Sequence, residues 1–250
     1  MRPPAVPRRS LAMGLLLLAS PSPNLPLLGA AHLAILGGVV VLGALLAVAQ
    51  RAWARCSQAL RVGVGLVLLA DTAAWYAYQI WIHQPIFPRN LPLELCDITL
   101  FLTIAVLLRG SALLFDLVYY WALAGTSMAL LTPDLWEQFP SLATCQFFFA
   151  HGLVVAAVLY LVWSGEMRPR PGSVRRAMIG VNVCAVFDGA FNAIFHTNYM
   201  YLAQKPQNAS LLSVLGRWPW YIAATELVAL ALFLLLYLPF RRGKNARAVQ

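Results

Sequence analysis

The chain has 250 residues, of which 61% are hydrophobic and only 11% are charged, and its mean hydropathy is +0.72. Soluble domains are roughly 45–50% apolar and about 25% charged, so this composition excludes a soluble globular domain. It also excludes a disordered chain, because disorder requires low hydrophobicity. The net charge is +9, but no nucleic-acid-binding motif accompanies it, and basic residues of membrane proteins collect in cytoplasmic loops. We therefore expect an integral membrane protein with no nucleic-acid partner.

Seven segments are long and apolar enough to cross a hydrocarbon core, which takes ~20 helical residues. No alternating pattern of ~10 residues recurs, so a transmembrane β-barrel is not expected. The sequence predicts an all-α, polytopic transmembrane helical bundle of about seven spans, forming one membrane domain over residues 27–240. The predicted spans lie near 28–49, 60–83, 91–109, 113–132, 143–164, 177–197 and 218–240.

Two short tails flank this predicted domain. In residues 1–26, Arg8 and Arg9 precede an apolar run at 11–19 that is too short to span a membrane. This pattern is typical either of a signal peptide or of a disordered extension, and both interpretations stay open. Residues 241–250 are predicted to form a basic cytoplasmic tail.

The distribution of basic residues predicts the orientation of the spans. When the loops are assigned to alternating sides, twelve Lys and Arg residues fall on the side of the C-terminus and three on the opposite side. Cytoplasmic loops carry the excess of positive charge. We therefore expect a multi-pass protein of the cell membrane, with the N-terminus outside and the C-terminus cytoplasmic.

Ionisable residues inside spans are costly and usually functional. At 1.5 Å per helical residue, Cys96 and Asp97 should lie ~8 Å below the outer surface, and His151 and Glu226 ~12 Å below it. His83 and His196 should lie near the same rim, where the second and sixth spans end, whereas the inner halves of the spans consist mainly of Leu, Val and Ala. One polar cavity open to the outside would satisfy these groups.

Helical spacing groups some of these residues on common faces. Asp188, Asn192 and His196 follow one another at intervals of four residues, and Cys96, Thr99 and Thr103 also share a face. Hydrogen bonding between packed helices is the alternative explanation of such stripes.

Three functions fit a polar cavity of this kind. In the first, Cys96 is a nucleophile that attacks an acyl ester and His151 is its general base. In the second, the protein is a non-enzymatic binding or transport protein, with Glu226 and Asp97 as charge partners of a lipid headgroup or a small cation. In the third, it is a metal-dependent membrane hydrolase, which requires His83, His151 and His196 to converge on one metal ion. The histidines occur singly, without a close pair on one helix, so no metal ligand is assigned and no cofactor is expected.

Several ordered strings give the chain a resemblance to the YwaF-type family of bacterial integral membrane proteins. The likeness runs from about residue 31 to 240 and implies a location in the bacterial cytoplasmic membrane. The strings are LPLELCDI at 91–98, WALAGT at 121–126, LLTPD at 130–134, FPS at 139–141, FFFAHG at 147–152, RPRPGS at 168–173, TNYMYL at 197–202 and GRWPWY at 216–221.

That family is in turn distantly similar to the animal transmembrane protein 164, which is regarded as a phospholipid acyltransferase that uses a membrane cysteine with a histidine. The resemblance implies that Cys96 stands at the nucleophile position and His151 at the histidine position. Asp97 replaces the histidine that follows the nucleophile, and Glu94 stands where bacterial relatives often carry His or Gln.

The sequence thus predicts a Cys/His-dependent lipid acyltransferase or acyl hydrolase that forms a thioester and acts on membrane phospholipids from an outer cavity. Cys96 and His151 are the predicted catalytic residues. Asp97 or Asp188 could orient a histidine, while Asn198 or Tyr199 could line the oxyanion or headgroup region. The oligomeric state is left open. The full set of supporting or substrate-lining residues is Asp97, Glu94, Asp188, Asn192, His196, Asn198, Tyr199 and Glu226.

Overall fold

The structure is a computed structural model that describes residues 25–135, 137–206 and 210–241. These described residues form helices and no strand. The predicted N-terminal extension, except for its last two residues, and the predicted tail, except for Arg241, lie outside the described residues. The helices are α1 (Ala30–Ala52), α2 (Ser57–Trp81), α3 (Leu95–Arg109), α4 (Ala112–Leu131), α5 (Leu142–Trp163), α6 (Ser173–Phe195), α7 (Leu211–Val214) and α8 (Trp220–Arg241).

Six of these helices, namely α1, α2, α4, α5, α6 and α8, are long and apolar enough to cross a membrane. The predicted third span differs, because α3 has only 15 residues and a length of ~22 Å, against a core of about 30 Å. Its start is delayed by Pro88 and Pro92, since proline disfavours the helical conformation in the residue before it. Helix α3 ends at Gly110, which adopts a left-handed conformation with φ of 70°. The predicted count of about seven spans is therefore not confirmed, and the predicted orientation stays a prediction.

Helix α3 lies in the middle of the bundle, in contact with α2, α4 and α5. Its C-terminal half packs in a large apolar core, in which Leu107, Tyr120 and Val158 are fully buried. Helix α4 is interrupted by a π-helical segment, Trp121–Thr126, that touches both α3 and α5. Single π-helical turns inside an α-helix are frequent at functional sites.

Helices α1 and α2 approach the central helices of the bundle closely. A Cβ atom at Gly43 of α1 would lie 3.0 Å from the Leu159 side chain of α5, and one at Gly65 of α2 would lie 2.9 Å from Leu107 of α3. His32, which is 1% exposed, donates from Nε2 to the Leu130 carbonyl at 2.8 Å and so ties α1 to the end of α4. Small residues at such contacts are typical of helix packing in membranes.

Two groups of charges, one centred on the buried Arg61 and one on the buried Asp116, stabilise one end of the bundle. The Arg61 guanidinium pairs with Glu166 at 2.9 Å and donates to the carbonyls of Val106 and Leu107 at 3.1 and 2.7 Å. These carbonyls belong to the last turn of α3, where a cation is favourable because helix C-termini carry partial negative charge. Gln50 also donates to Glu166.

The second group surrounds Asp116, which is 0% exposed. Its carboxylate accepts from Arg170 at 2.7 Å and from Arg176 at 2.8 Å, and the Arg170 backbone N–H adds a further bond at 2.9 Å. The sequence-based expectation that this end of the spans is mainly Leu, Val and Ala is therefore incomplete. We call Arg61, Glu166, Gln50, Asp116, Arg170 and Arg176 together the ion-pair network.

Candidate functional site

The predicted nucleophile lies at the opposite end of α3 from the ion-pair network. Glu94 is the N-cap residue, and Cys96 and Asp97 belong to the first turn. The side chains of all three are partly exposed, although α3 is surrounded by three helices. Cys96 is a free thiol.

A tight turn at Tyr199–Tyr201 covers this end of α3. The Met200 backbone N–H donates to Glu94 Oε2 at 2.9 Å. The Tyr199 hydroxyl accepts from the Leu91 N–H at 2.9 Å and donates to the Pro88 carbonyl at 2.8 Å, so it joins the turn to the loop before α3. Met200 and Tyr201 both have positive φ values, 54° and 53°, a conformation that costs free energy in residues other than glycine.

Asn192 of α6 binds the backbone of the same turn at Tyr199. It donates from Nδ2 to the Tyr199 carbonyl at 3.0 Å and accepts from the Tyr199 N–H at 2.8 Å and from the Thr197 hydroxyl at 2.7 Å. Its amide is therefore used to position the turn, and Asn192 acts as a structural support. Asp188 lies one helical turn earlier on the same face of α6.

Asp188 is the least satisfied buried group near the turn. It is 0% exposed, and neither carboxylate oxygen has a hydrogen-bond partner among the described residues. Buried carboxylates are normally paired or hydrogen-bonded, since an unpaired one costs several kcal/mol. An unpartnered one therefore requires an explanation.

The acidic residues near the turn affect the pKa values of groups in the loop and the turn. Burial, followed by the charges of Asp97 and Asp188, raises the pKa of Glu94 to about 7, although the bond from Met200 opposes this shift. Burial also raises the pKa of Tyr199, and Glu94, Asp97 and Asp188 raise it further, against the lowering effect of the Leu91 N–H. We call Glu94, Asp97 and Asp188 the acidic cluster.

Tyr201 is a neighbour of this cluster that sequence reasoning missed. Its hydroxyl donates to Asp134 at 2.8 Å. Burial and the charge of Asp134 raise its pKa, and Glu94 and Cys96 contribute to the same shift. The only sequence signal was the TNYMYL string at 197–202, which does not show where the second tyrosine lies.

The acidic cluster has no cationic partner in the part of the chain that the structure describes. The ion pairs recorded there involve Glu166 and Asp116, which belong to the ion-pair network. Of the predicted site residues, the structure thus places Glu94, Cys96 and Asp97 at the start of α3 and joins Tyr199 to the loop before that helix. Asp188 lies one helical turn before Asn192, which holds Tyr199.

His151 is placed on α5, the helix that contacts α3 and the π-helical segment. Its Nδ1 lies 2.9 Å from the Phe147 carbonyl, and its ring lies 4.1 Å from the Phe147 ring. Since a carbonyl only accepts, Nδ1 carries the proton and Nε2 holds a lone pair. Nε2 is buried and has no partner among the described residues. An oriented imidazole with a free Nε2 has the form that a general base requires.

The π-helical segment adds two features beside these helices. Gly125 is exposed, and a Cβ atom there would lie 3.8 Å from the Leu95 side chain of α3. Thr126 is 2% exposed, and its hydroxyl has no partner among the described residues. Nothing in the sequence signals the π-helical segment, because it contains no proline and includes Ala and Leu, which are good α-helix formers.

The remaining predicted residues have other surroundings. His196 caps α6 in a left-handed conformation and is exposed. The Asn198 amide is engaged with the backbone of Ala203 and Gln204 within its own loop. Glu226 of α8 accepts from Asn182 of α6 at 3.1 Å. These contacts give the three residues local roles, and none of them joins the acidic cluster.

Two alternative functions can be compared with this geometry. Within the described ranges, no group of three or more His, Cys, Asp or Glu side chains could hold a metal ion, so the convergence that a metal hydrolase needs does not occur there. Transport would need a polar path through the bundle. Thr99 and Thr103, which continue the Cys96 face, are 0% exposed, and their hydroxyls bond to the carbonyls of Leu95 and Thr99 in their own helix.

The helices and their buried polar groups define a multi-pass helical membrane protein. The chain belongs to the TMEM164 family, whose model matches residues 27–237. This match supports the predicted similarity to transmembrane protein 164, whereas the YwaF-type resemblance is not confirmed by it. No curated protein and no solved structure matches the chain.

Proposed function

We propose that the protein is a lipid acyltransferase, or an acyl hydrolase when water is the acceptor, with Cys96 as nucleophile and His151 as general base. The observation that carries this proposal is the state of His151. Its Nδ1 is held by the Phe147 carbonyl, and its Nε2 is buried and unpartnered on a helix that contacts the helix of Cys96. Membership of the TMEM164 family and the implied Cys/His pair agree with this assignment.

The chemistry divides into two transfers. In the first, the Cys96 thiol gives its proton to His151 Nε2, and the sulfur forms a bond to the acyl carbonyl carbon of a phospholipid. The ester C–O bond breaks, and the departing lysolipid oxygen takes the proton from His151. In the second, a hydroxyl of a lysolipid or of water gives its proton to His151 and attacks the thioester. The C–S bond breaks, and the thiolate recovers the proton.

Intact-mass measurement of the purified full-length protein tests this proposal. Incubated with phospholipid donors, the wild type should gain the mass of an acyl group in a form that hydroxylamine removes. Cys96→Ala should lose the adduct completely. His151→Ala should slow its formation by 10²–10⁴-fold, the usual contribution of a general base.

Cys184 offers a matched control, because it is another partly exposed free thiol. Cys184→Ala should keep the adduct. A wild-type protein that stays unmodified with diacyl and ether phospholipid donors, or an adduct that survives in Cys96→Ala, would contradict the proposal.

A further inference from the structure

We infer that two copies of the chain form a dimer in the membrane by packing their α6–α8 faces against each other. On each helix this face consists of three residues that lie on one side, and all of them are exposed except Glu226, which is partly exposed. The inference concerns assembly and does not depend on the reaction proposed for Cys96. The residues of the α6–α8 face are Asn182, Val183 and Val186 on α6 and Glu226, Leu227 and Leu230 on α8.

The first argument is a polar pair far from the helix ends. Asn182 Nδ2 donates to Glu226 Oε2 at 3.1 Å. At 1.5 Å per residue, Glu226 lies ~9 Å from the nearer end of α8 and Asn182 ~14 Å from the nearer end of α6. Polar groups at such depths normally face other protein segments or a water-filled cavity, because exposure to hydrocarbon is costly. The exposure of Asn182 therefore indicates that a further protein surface covers the pair.

The second argument is the hydrogen-bonding capacity that the pair leaves unused. Asn182 donates from Nδ2 both to the Met178 carbonyl at 2.9 Å and to Glu226, but no described residue donates to its Oδ1. Glu226 forms no ion pair among the described residues. In its neutral form Glu226 carries an O–H donor. The pair thus offers a donor and an acceptor to a partner.

The third argument identifies the partner as a second copy. Copies inserted in the same direction can be related by a two-fold axis along the membrane normal, and this rotation leaves the depth of every residue unchanged. Asn182 and Glu226 lie at nearly the same depth, because they are hydrogen-bonded to each other. Half a turn therefore brings Glu226 of one copy to the level of Asn182 of the other, where its O–H can donate to Oδ1. The contact then occurs twice, as an isologous interface requires.

Helix α1 provides a contrasting surface. Its exposed residues between Leu33 and Val48 are all apolar, as expected of a helix that faces lipid. In a membrane, apolar surface does not drive helices together, whereas interhelical hydrogen bonds and close packing do. Only 11% of the most apolar stretch of α8 is buried, against 61% of that of α5. Helix α8 therefore has both the free surface and the polar group that association requires.

Single-molecule photobleaching of the full-length protein in lipid vesicles tests the inference. With one fluorophore on each chain, the wild type should bleach in two steps, and the dimer fraction should fall on dilution with lipid. Glu226→Leu and Asn182→Leu should each raise the dissociation constant of the dimer at least tenfold. Glu226→Gln keeps a donor and an acceptor, so its dissociation constant should stay within threefold of the wild-type value.

Asp71→Leu is the matched control for the loss of a polar pair. Asp71 of α2 accepts from Gln146 of α5 at 3.1 Å, but it lies outside the α6–α8 face, so this variant should remain dimeric. A melting temperature for each variant shows whether it is folded. Asn182→Leu serves as the test if Glu226→Leu does not fold.

Disulfide cross-linking then locates the interface. The background is a protein in which the exposed Cys56 and Cys145 are replaced by alanine. Leu227→Cys on α8 should give a covalent dimer under mild oxidation. Leu45→Cys on α1 should give none, although Leu45 is 62% exposed and Leu227 69%.

A wild type that stays monomeric at every protein density would overturn the inference, and so would a dimer that both leucine variants keep. Cross-linking through Leu45→Cys and not through Leu227→Cys would place the interface on α1 and reject the α6–α8 face. Weakening in both leucine variants, with retention in Glu226→Gln and Asp71→Leu, would support the interface.

Discussion

The two ends of the bundle differ in the partners that they provide for a buried carboxylate. Asp116 and Asp188 are both 0% exposed, yet Asp116 meets two arginines and Asp188 meets no hydrogen-bond partner among the described residues. A fully paired group stabilises the fold, whereas an unpaired one stores free energy that a ligand can recover. Burial alone therefore does not identify a functional carboxylate, and the partners of the carboxylate do.

The largest expected effect comes from breaking the ion-pair network at its centre. Asp116→Ala leaves Arg170 and Arg176 without their shared carboxylate. We expect a loss of about 3 kcal/mol in unfolding free energy, at the lower end for a broken buried pair because both arginines are partly exposed. Thermal unfolding in detergent measures it, with Glu137→Ala as the exposed control. A melting temperature no lower than that of the control would contradict the structural role of the network.

Removing Arg61, the third arginine of the network, should have a somewhat smaller effect. Arg61→Met keeps most of the side-chain volume but loses the pair with Glu166 and the two bonds to the α3 carbonyls. We expect about 2 kcal/mol of destabilisation, since hydrogen bonds to charged groups contribute ~1.5–3 kcal/mol. Arg109→Met is the matched control, because Arg109 is exposed and belongs to the last turn of α3, whose carbonyls Arg61 contacts. Equal melting temperatures for the two variants would refute this prediction.

Neutralising Asp188 of the acidic cluster should not lower the unfolding free energy, in contrast to the two substitutions in the ion-pair network. Asp188→Asn removes a buried charge that no described residue compensates, while it retains the shape of the side chain. We expect the unfolding free energy to stay constant or to rise by up to ~1 kcal/mol. The same thermal measurement on lipid-depleted protein checks it. A loss of unfolding free energy comparable to that of Asp116→Ala would mean that Asp188 is a structural residue. The two ends of the bundle would then not differ in the role of their buried carboxylates.

A pH dependence of stability at Glu94 should be the smallest effect, because solvent screening at this partly exposed residue reduces the free energy that its shifted pKa represents. Burial raises the pKa of this residue from 4.5 to about 7, so the folded state favours the protonated form. The stabilisation is complete below pH 4.5 and is lost as the pH rises through 7. The melting temperature of lipid-depleted protein should therefore fall between pH 5 and 8, and Glu94→Gln should flatten that part of the profile. A wild-type profile that rises over this interval would exclude the raised pKa.

Much of the architecture could be predicted from the sequence, because apolar length alone locates a membrane helix. All seven predicted spans, the third included, agree with observed helices to within about five residues at either end. The third was predicted too long, since hydropathy continues across Pro92 while the helical backbone does not. The residues around Cys96 were also found, because polar groups in apolar segments are conspicuous.

The rest depends on contacts between distant segments. Asp188 is unusual because no described residue donates a hydrogen bond to its buried carboxylate, and no pattern in the sequence shows this. The π-helical segment and the left-handed turn at Met200 and Tyr201 are backbone conformations that residue type does not require. Asp116 was overlooked because its two partners lie more than fifty residues later in the chain.

The bond between Met200 and Glu94 also has a consequence for biosynthesis. Its two partners are 106 residues apart, and Tyr199 joins the same distant segments through Leu91. A nascent chain that has released only its first four helices into the membrane therefore holds the Cys96 thiol without the turn that covers it. The site is assembled only when translation has passed the end of α6, so a protein truncated before that point inserts without acquiring the assembled site.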